Sequence, residues 1–167
     1  IGQQPTPYTT VGLSQNFPVI DIIVDFVTFY KGAKEHLILA RQIADTYLSY
    51  KTNGYIPASL NSPNVNIDAN MDFAIAIFRL GVVTDCAHYI EEAIDIMGTI
   101  YNNPAGKTKD GYFAYYNLKE NKGTLINPRY NGLLLKFLTI ASRQLAEDWA
   151  PRDVVYNEKM RDLLKDR

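Results

Sequence analysis

The chain has 167 residues, a length typical of a single domain that buries a core without needing disulfides. Its 47% hydrophobic and 21% charged residues are close to the averages of globular proteins, which argues against a disordered or fibrous class. The chain has 17 basic and 18 acidic side chains, which gives a net charge of −1. Because this charge provides no field that would attract a polyanion, we predict no nucleic-acid partner.

Residues 1–16 predict an extended arm, because Pro5 and Pro7 stand among Gln and Thr residues without any hydrophobic period. Residues 17–167 predict one helical-hairpin domain. The chain begins with Ile1 rather than Met, so we expect either a mature form that has lost a leader or a piece of a longer protein. A secreted or periplasmic location is slightly favoured over a cytoplasmic one.

The first predicted helix covers residues 17–32. Asn16 precedes it, Pro18 falls in its first turn, and Asp21 suits the positive end of the helix dipole. Gly32 is expected to end the helix. Its apolar run is interrupted by acidic residues and is shorter than the roughly 20 residues that cross a bilayer, so we predict no membrane partner.

A second, amphipathic helix is predicted over residues 35–50, because Leu37, Ala40 and Ala44 recur at helical spacing opposite polar residues. A loop rich in Pro, Ser and Asn then extends to Asn66.

The same order of elements recurs in a second unit. An apolar helix is predicted from Asp68 to Leu80, ended by Gly81, and an amphipathic helix is predicted from about Cys86 to Tyr101.

A third copy is predicted to begin at Asn127 and Pro128, a cap followed by a first-turn proline, and to run through to Ala146. A charged helix is expected after Pro151.

A short β-hairpin is predicted near residues 112–126. Residues 112–116 and 124–126 have the composition of strands, and they flank a polar turn at residues 120–123.

The repeated units predict two layers of helices. In each unit the first helix is apolar nearly all round and the second has one polar face, as expected when an outer helix covers an inner one. Repeats of about 50 residues with two helices each indicate a solenoid or a closed ring. The predicted fold class is therefore all-α, with tandem helical hairpins that form an (α/α) arc or partial toroid.

This layout resembles the six-hairpin (α/α) toroids of glycoside hydrolases, polysaccharide lyases and sugar epimerases. The resemblance lies in residues 68–73 and 79–81, in His88-Tyr89-Ile90 with Ala93, and in residues 110–113, and it covers roughly residues 17–146. It implies a carbohydrate-active protein. Three hairpins are half of such a ring, so the resemblance implies a fragment, an open arc or one half of a homodimer that closes the ring.

Asp68 and Asp72 are the candidate catalytic residues. They lie four residues apart at the start of a predicted inner helix, so both carboxylates project from one face. They can act as general acid and base or hold sugar hydroxyls with Asn70 beside them. Carboxylates in a first helical turn are also favoured by the dipole and by capping, without any catalysis.

Two further charged residues have both functional and structural interpretations. Asp25 lies one turn deeper in the first helix, where a carboxylate needs an ion pair or hydrogen bond to offset its lost hydration. Arg129 can hold the carboxylate of a uronic acid, or it can pair with Asp68 or Asp72.

The densest aromatic cluster consists of Tyr112, Phe113, Tyr115 and Tyr116, together with Tyr55. Such rings can stack on the apolar faces of sugars while their hydroxyls form hydrogen bonds. Loop aromatics also commonly fill the gap between hairpins. Tyr55, Tyr112 and Tyr116 are the predicted substrate-binding members.

No cofactor and no metal site are predicted. His36 and His88 have no second ligand at metal-binding spacing, and the lone Cys86 excludes an internal disulfide. No phosphate loop, dinucleotide-binding glycine pattern or nucleophile elbow occurs in the sequence.

Two functions remain open at this stage. The first is a hydrolase or lyase that acts on or binds a saccharide in a cleft at the inner-helix ends, with Asp72 as acid or base. The second is a non-catalytic helical-repeat module that binds a protein partner or a copy of itself. A sugar site requires acids and aromatic rings in one cleft, whereas a partner surface requires a contiguous apolar patch on an end hairpin.

Overall fold

A computed structural model of the protein describes residues 13–30, 34–59, 62–127 and 129–146. Within these residues the fold is mainly α-helical with one small sheet, so the prediction of an all-α fold with a short β-hairpin is correct for the bulk of the fold but omits two of the four strands. The α-helices are α1 (Leu13–Phe29), α2 (Leu37–Leu48), α3 (Ile67–Thr84), α4 (Ala87–Asn102) and α5 (Arg129–Ala146). The strands are β1 (Asn64–Asn66), β2 (Lys107–Thr108), β3 (Gly111–Asn117) and β4 (Lys122–Ile126).

Helix α1 begins earlier than the sequence predicts. Its first residue is Leu13, so residues 13–16 are helical rather than part of an extended arm, and Pro18 lies inside the helix rather than in its first turn. Burial of Ile20 and Val24 against the core stabilises this helix more than one proline weakens it. The predicted end at Gly32, and the predicted arm before residue 13, lie outside the described residues.

Helix α3 is the central element of the core. Twelve of its eighteen residues are buried, as expected of an inner helix. Phe73 meets Tyr47 of α2 edge-on at a ring distance of 5.7 Å, and Phe78 meets Phe137 of α5 at 5.4 Å. Each such pair contributes about 0.5–1.5 kcal/mol beyond the area it buries.

Gly81 does not end α3, contrary to prediction. The helix continues to Thr84, and Asp85 takes the left-handed conformation that closes it, with φ 50°. A Cβ on Gly81 would lie 2.5 Å from Cγ1 of Ile90 and 3.0 Å from the carbonyl oxygen of Cys86. The glycine therefore permits the close approach of α3 and α4.

The helices pack in a regular order. Helix α2 follows and packs on α1, and α4 follows and packs on α3, while α3 also contacts both α1 and α5. Helix α2 is shorter than predicted because residues 34–36 form a separate 3-10 turn. Helix α4 lies within one residue of its predicted bounds.

The predicted β-hairpin is confirmed. Strands β3 and β4 pair antiparallel, with Phe113 opposite Ile126 and Asn117 opposite Lys122. Strand β3 also pairs antiparallel with β1, which was predicted to be loop, and with β2, for which no element was predicted. These two strands are only three and two residues long, so their pairing depends on β3 rather than on a local pattern.

The start of α5 agrees with prediction. The side chain of Asn127 accepts a hydrogen bond from the backbone N–H of Arg129 at 3.1 Å, as a cap does. Pro128 and the helix predicted after Pro151 lie outside the described residues.

Candidate functional site

Two carboxylates lie at the N-terminal end of α3. Asp68 and Asp72 are half-buried and one helical turn apart. The carboxylate of Asp68 accepts a hydrogen bond from the backbone N–H of Ala69 at 2.7 Å, which fits the capping alternative for this residue. Asp72 has no such backbone bond among the described residues, and its carboxylate contacts a side chain instead.

Arg129 pairs with Asp72. Its Nη2 lies 3.6 Å from Oδ2 of Asp72, so of the two carboxylates considered for pairing with Arg129, Asp72 is its ion-pair partner here. The side chain of Arg129 is 62% exposed, whereas that of Asp72 is 23% exposed. The guanidinium therefore keeps donors that face solvent while it contacts a partly desolvated acid.

The surroundings of Asp72 favour its protonated form. Burial raises the pKa of the Asp72 carboxyl above its ordinary value, and the positive charges of Arg129 and Lys136 only partly oppose that rise. The nearby charges of Asp68 and Asp21 raise the pKa further. Asp72 therefore holds its proton to a higher pH than a solvent-exposed aspartate.

Two tyrosines complete this cluster. Tyr115 lies opposite Asn66 in the β1–β3 pairing and is half exposed, which places it beside the start of α3. Tyr130 is buried at the start of α5, and its pKa is raised by burial and by the nearby charges of Asp68 and Tyr115. We refer to Asp68, Asp72, Tyr115, Arg129 and Tyr130 together as the acid–tyrosine cluster.

Tyr115 and Tyr130 were not among the substrate-binding residues predicted from sequence. Successive side chains of a strand point to opposite faces. Since Tyr112, Ala114 and Tyr116 lie on the buried face of β3, Tyr115 lies on the opposite face and is exposed.

The three tyrosines predicted to bind substrate are buried instead. Tyr55, Tyr112 and Tyr116 are each at most 6% exposed and belong to the hydrophobic core. The rings of Tyr55 and Tyr116 lie 5.6 Å apart, the Tyr55 hydroxyl accepts a hydrogen bond from Asn103 at 2.8 Å, and the Tyr116 hydroxyl donates to Asn121. In this structure they fill the space between the hairpins, the alternative left open for loop aromatics.

Asn70 is placed as a structural residue. Its side chain is fully buried and accepts from the N–H of Ile56 at 2.8 Å. It also donates to the carbonyl oxygens of Ile56 at 2.9 Å and Asn66 at 2.8 Å. Since both polar atoms are occupied by backbone groups, we leave Asn70 out of the acid–tyrosine cluster.

Asp25 has the ion-pair partner that the sequence analysis required. Arg79 contacts Asp25 through Nη2 and Asp21 through Nη1, the latter at 2.6 Å. This network joins α1 to α3. The two histidines are exposed, and the part of the chain that the structure describes contains no group of three or more acidic, His or Cys side chains suited to a metal.

A cavity of about 510 Å³ lies elsewhere, between the end of α2, the segment that follows it and the β3–β4 connection. None of the predicted site residues lines it. The sequence predicted a helix end, a loop rich in Pro, Ser and Asn and a hairpin for the residues that line it, but not the cavity, because its two sides are more than 50 residues apart in the chain.

Compared with known proteins, the chain matches no family model, no curated protein and no solved structure. Among the helices described, none combines the length and apolar character required to cross a bilayer.

Proposed function

We propose that this protein acts on a saccharide at the acid–tyrosine cluster, with Asp72 as the proton donor. The observation that carries the proposal is the half-buried Asp72 carboxyl, whose pKa is raised by burial while it lies beside Asp68 and Arg129. A general acid requires a pKa raised toward the working pH, and burial supplies that rise here.

The other members of the cluster have complementary roles. The exposed ring of Tyr115 offers a surface for the apolar face of a sugar, and the solvent-facing donors of Arg129 suit a hydroxyl or a uronate carboxylate. Asp68 provides the second carboxylate that glycoside hydrolysis requires, either as a base that activates water or as a nucleophile. The proposal covers hydrolase and lyase chemistry.

The packing order of the helices supports the same proposal. In a toroid-like arc the inner helices lie side by side, and each is covered by the helix that follows it. Helices α1, α3 and α5 contact one another in that order, while α2 and α4 pack on α1 and α3. The acid–tyrosine cluster lies where α3 and α5 begin, at the inner-helix ends where a cleft is expected.

The test uses xylan, β-glucan, polygalacturonate and alginate as substrates. Release of reducing ends reports hydrolysis, and ultraviolet absorbance of unsaturated ends reports a lyase reaction. We expect turnover of at least one of them and a loss of about 100-fold or more in Asp72→Asn, the range for removal of a general acid.

The matched control is Asp95→Asn. Asp95 is also an ion-paired acid, but it bonds Lys51 from the outer helix α4. This variant should retain full activity. Unchanged turnover in Asp72→Asn, or absence of both turnover and binding for all four polysaccharides, would contradict the proposal.

A second candidate function, a self-association module, is favoured by a separate observation. One face of α1 exposes Ile22 by 66%, Phe26 by 42% and Phe29 by 77%, and these residues are spaced so that they share a stripe. The adjoining α2 exposes Ile38 and Leu39. In this alternative a second copy of the chain covers the stripe.

The solution mass distinguishes the two candidates. A concentration-dependent dimer that Phe29→Asp converts to monomer favours the module. A monomer at all concentrations removes it and leaves the saccharide proposal unaffected.

A further inference from the structure

The cavity of about 510 Å³ has the size of a small-molecule site, since such sites enclose roughly 300–1,000 Å³. None of the residues of the acid–tyrosine cluster lines it, so it is separate from the proposed saccharide site. Its walls are formed by Tyr47, Ser49, Tyr50, Lys51, Thr52, Asn53, Ile56, Pro57, Ser59, Ser62, Pro63, Leu118 and Lys119.

Hydrogen bonds to backbone groups hold parts of the walls in place. Thr52 and Tyr55 exchange two bonds, at 2.8 and 3.0 Å, and Leu118 donates to the carbonyl oxygen of Pro63 at 2.8 Å. The buried side chain of Asn70 bonds both backbone groups of Ile56. These bonds order parts of the cavity walls before a ligand binds, which lowers the entropic cost of binding.

Among the described residues that line the cavity there are two lysines and no acidic residue. Lys51 is neutralised by Glu92 and by Asp95 at 2.9 Å. Lys119 makes no ion pair with any side chain in the described parts of the chain and is exposed. Lys119 therefore adds an exposed, unpaired positive charge to the lining, whereas the charge of Lys51 is paired with two carboxylates.

The rest of the lining combines apolar rings with a few hydroxyl groups. Tyr50 exposes 40% of its surface, and Ile56, Pro57 and Leu118 add apolar area. Ser59 and Ser62 supply hydroxyl groups beside them. This combination suits a molecule that has one flat apolar ring and one anionic end.

We propose that this cavity binds a small aromatic carboxylate, whose anionic group pairs with Lys119 and whose ring lies against Tyr50 and the prolines. The proposal does not depend on the saccharide proposal. Contact between the ligand ring and Tyr50 removes apolar surface of both rings from water. The ammonium group of Lys119 provides a charge-assisted hydrogen bond to the carboxylate.

The probe is 2-naphthoate, with 2-naphthamide as its neutral counterpart of the same shape. Binding to the full chain is measured by calorimetry and by chemical-shift changes in amide NMR spectra. We expect naphthoate to bind more tightly than the amide. Lys119→Gln should lower the affinity for naphthoate by about three- to tenfold and leave the affinity for the amide unchanged.

Lys122→Gln is the matched control. Lys122 is an exposed lysine on β4, three residues from Lys119, and it does not line the cavity. It removes the same charge from the same region, so it should leave both affinities unchanged. A loss shared by both variants would show only a general electrostatic attraction and would overturn the assignment to Lys119.

A second variant tests the cavity itself. Ser59→Trp fills it and should abolish binding of both compounds while the far-ultraviolet circular dichroism stays native. No naphthoate binding up to about 10 mM, binding unaffected by Ser59→Trp in the folded protein, or shift changes located on the exposed face of α1 would each overturn the proposal.

Discussion

Asn70→Ala is the most informative single change to the fold, because Asn70 connects α3 to the segment that precedes β1. The wild-type side chain makes three hydrogen bonds to backbone groups, and it is fully buried. Alanine leaves the N–H of Ile56 and the carbonyl oxygens of Ile56 and Asn66 without this partner. Ile56 is itself 1% exposed, so water does not replace the lost bonds easily.

The expected cost follows from these contacts. A buried hydrogen bond contributes about 1 kcal/mol and an unsatisfied buried group costs about 1–3 kcal/mol, so Asn70→Ala should lower the free energy of unfolding by about 3–5 kcal/mol. That is a large share of the roughly 5–15 kcal/mol that stabilises a typical domain.

Asn117→Ala is the control. Asn117 also makes three hydrogen bonds, to the side chain of Asn64 and to the N–H groups of Lys119 and Glu120, but these bonds are exposed. Water replaces exposed bonds, so we expect a loss of about 1 kcal/mol or less. The two variants differ in burial and not in the number of bonds.

Urea unfolding followed by far-ultraviolet circular dichroism measures both changes. If the two variants differ by less than about 1 kcal/mol with equal m-values, burial does not set the value of these bonds and the structural role assigned to Asn70 is refuted.

Three further predictions concern packing, charge and pH. Gly81→Ala should destabilise the fold by about 1–3 kcal/mol through overpacking against α4, whereas Gly98→Ala, whose added Cβ meets nothing within 4 Å, should stabilise it by about 0.5–1 kcal/mol through helix propensity; urea unfolding measures both. Arg79→Gln should cost about 1 kcal/mol at low ionic strength, and most of that loss should disappear in about 1 M NaCl, because the ion pairs it breaks are partly solvated. Asp72→Asn should be at least as stable as the wild type at neutral pH: the folded pKa of Asp72 is raised, so the wild type loses stability as pH rises from the ordinary value of 3.8 through that raised pKa. Unfolding at pH below 3.8 should show no advantage for Asp72→Asn, and an advantage that grows toward acid pH would contradict the sign of the shift.

Local sequence patterns predicted the elements whose stability is local. The apolar period of α3 predicts its start within one residue, the one-sided pattern of α4 predicts both of its ends within one residue, and the polar turn between β3 and β4 gives the predicted hairpin. The Asn127 cap likewise marks the start of α5. Each of these features depends on residues within a few positions of one another.

The first and last residues of the helices were predicted less well, because tertiary contacts can outweigh the preference of a single residue. Glycine commonly ends a helix, yet Gly81 lies within α3 and allows α4 to pack closely against it. Asp85 ends the helix instead. Pro18 has the residue type of a helix start, yet α1 extends five residues before it. In both places the packing of a long helix outweighs a local preference of about 1–3 kcal/mol.

For the candidate site, the sequence by itself determined which carboxylates share a face, because the four-residue spacing of Asp68 and Asp72 has a fixed geometry on a helix. Only the tertiary structure decided which aromatic residues lie near them, burying Tyr55 and Tyr116 and leaving Tyr115 half exposed opposite Asn66, next to the start of α3. The physical reason is that a ring's exposure depends on what packs over it, and the elements that cover these rings lie far away in the chain.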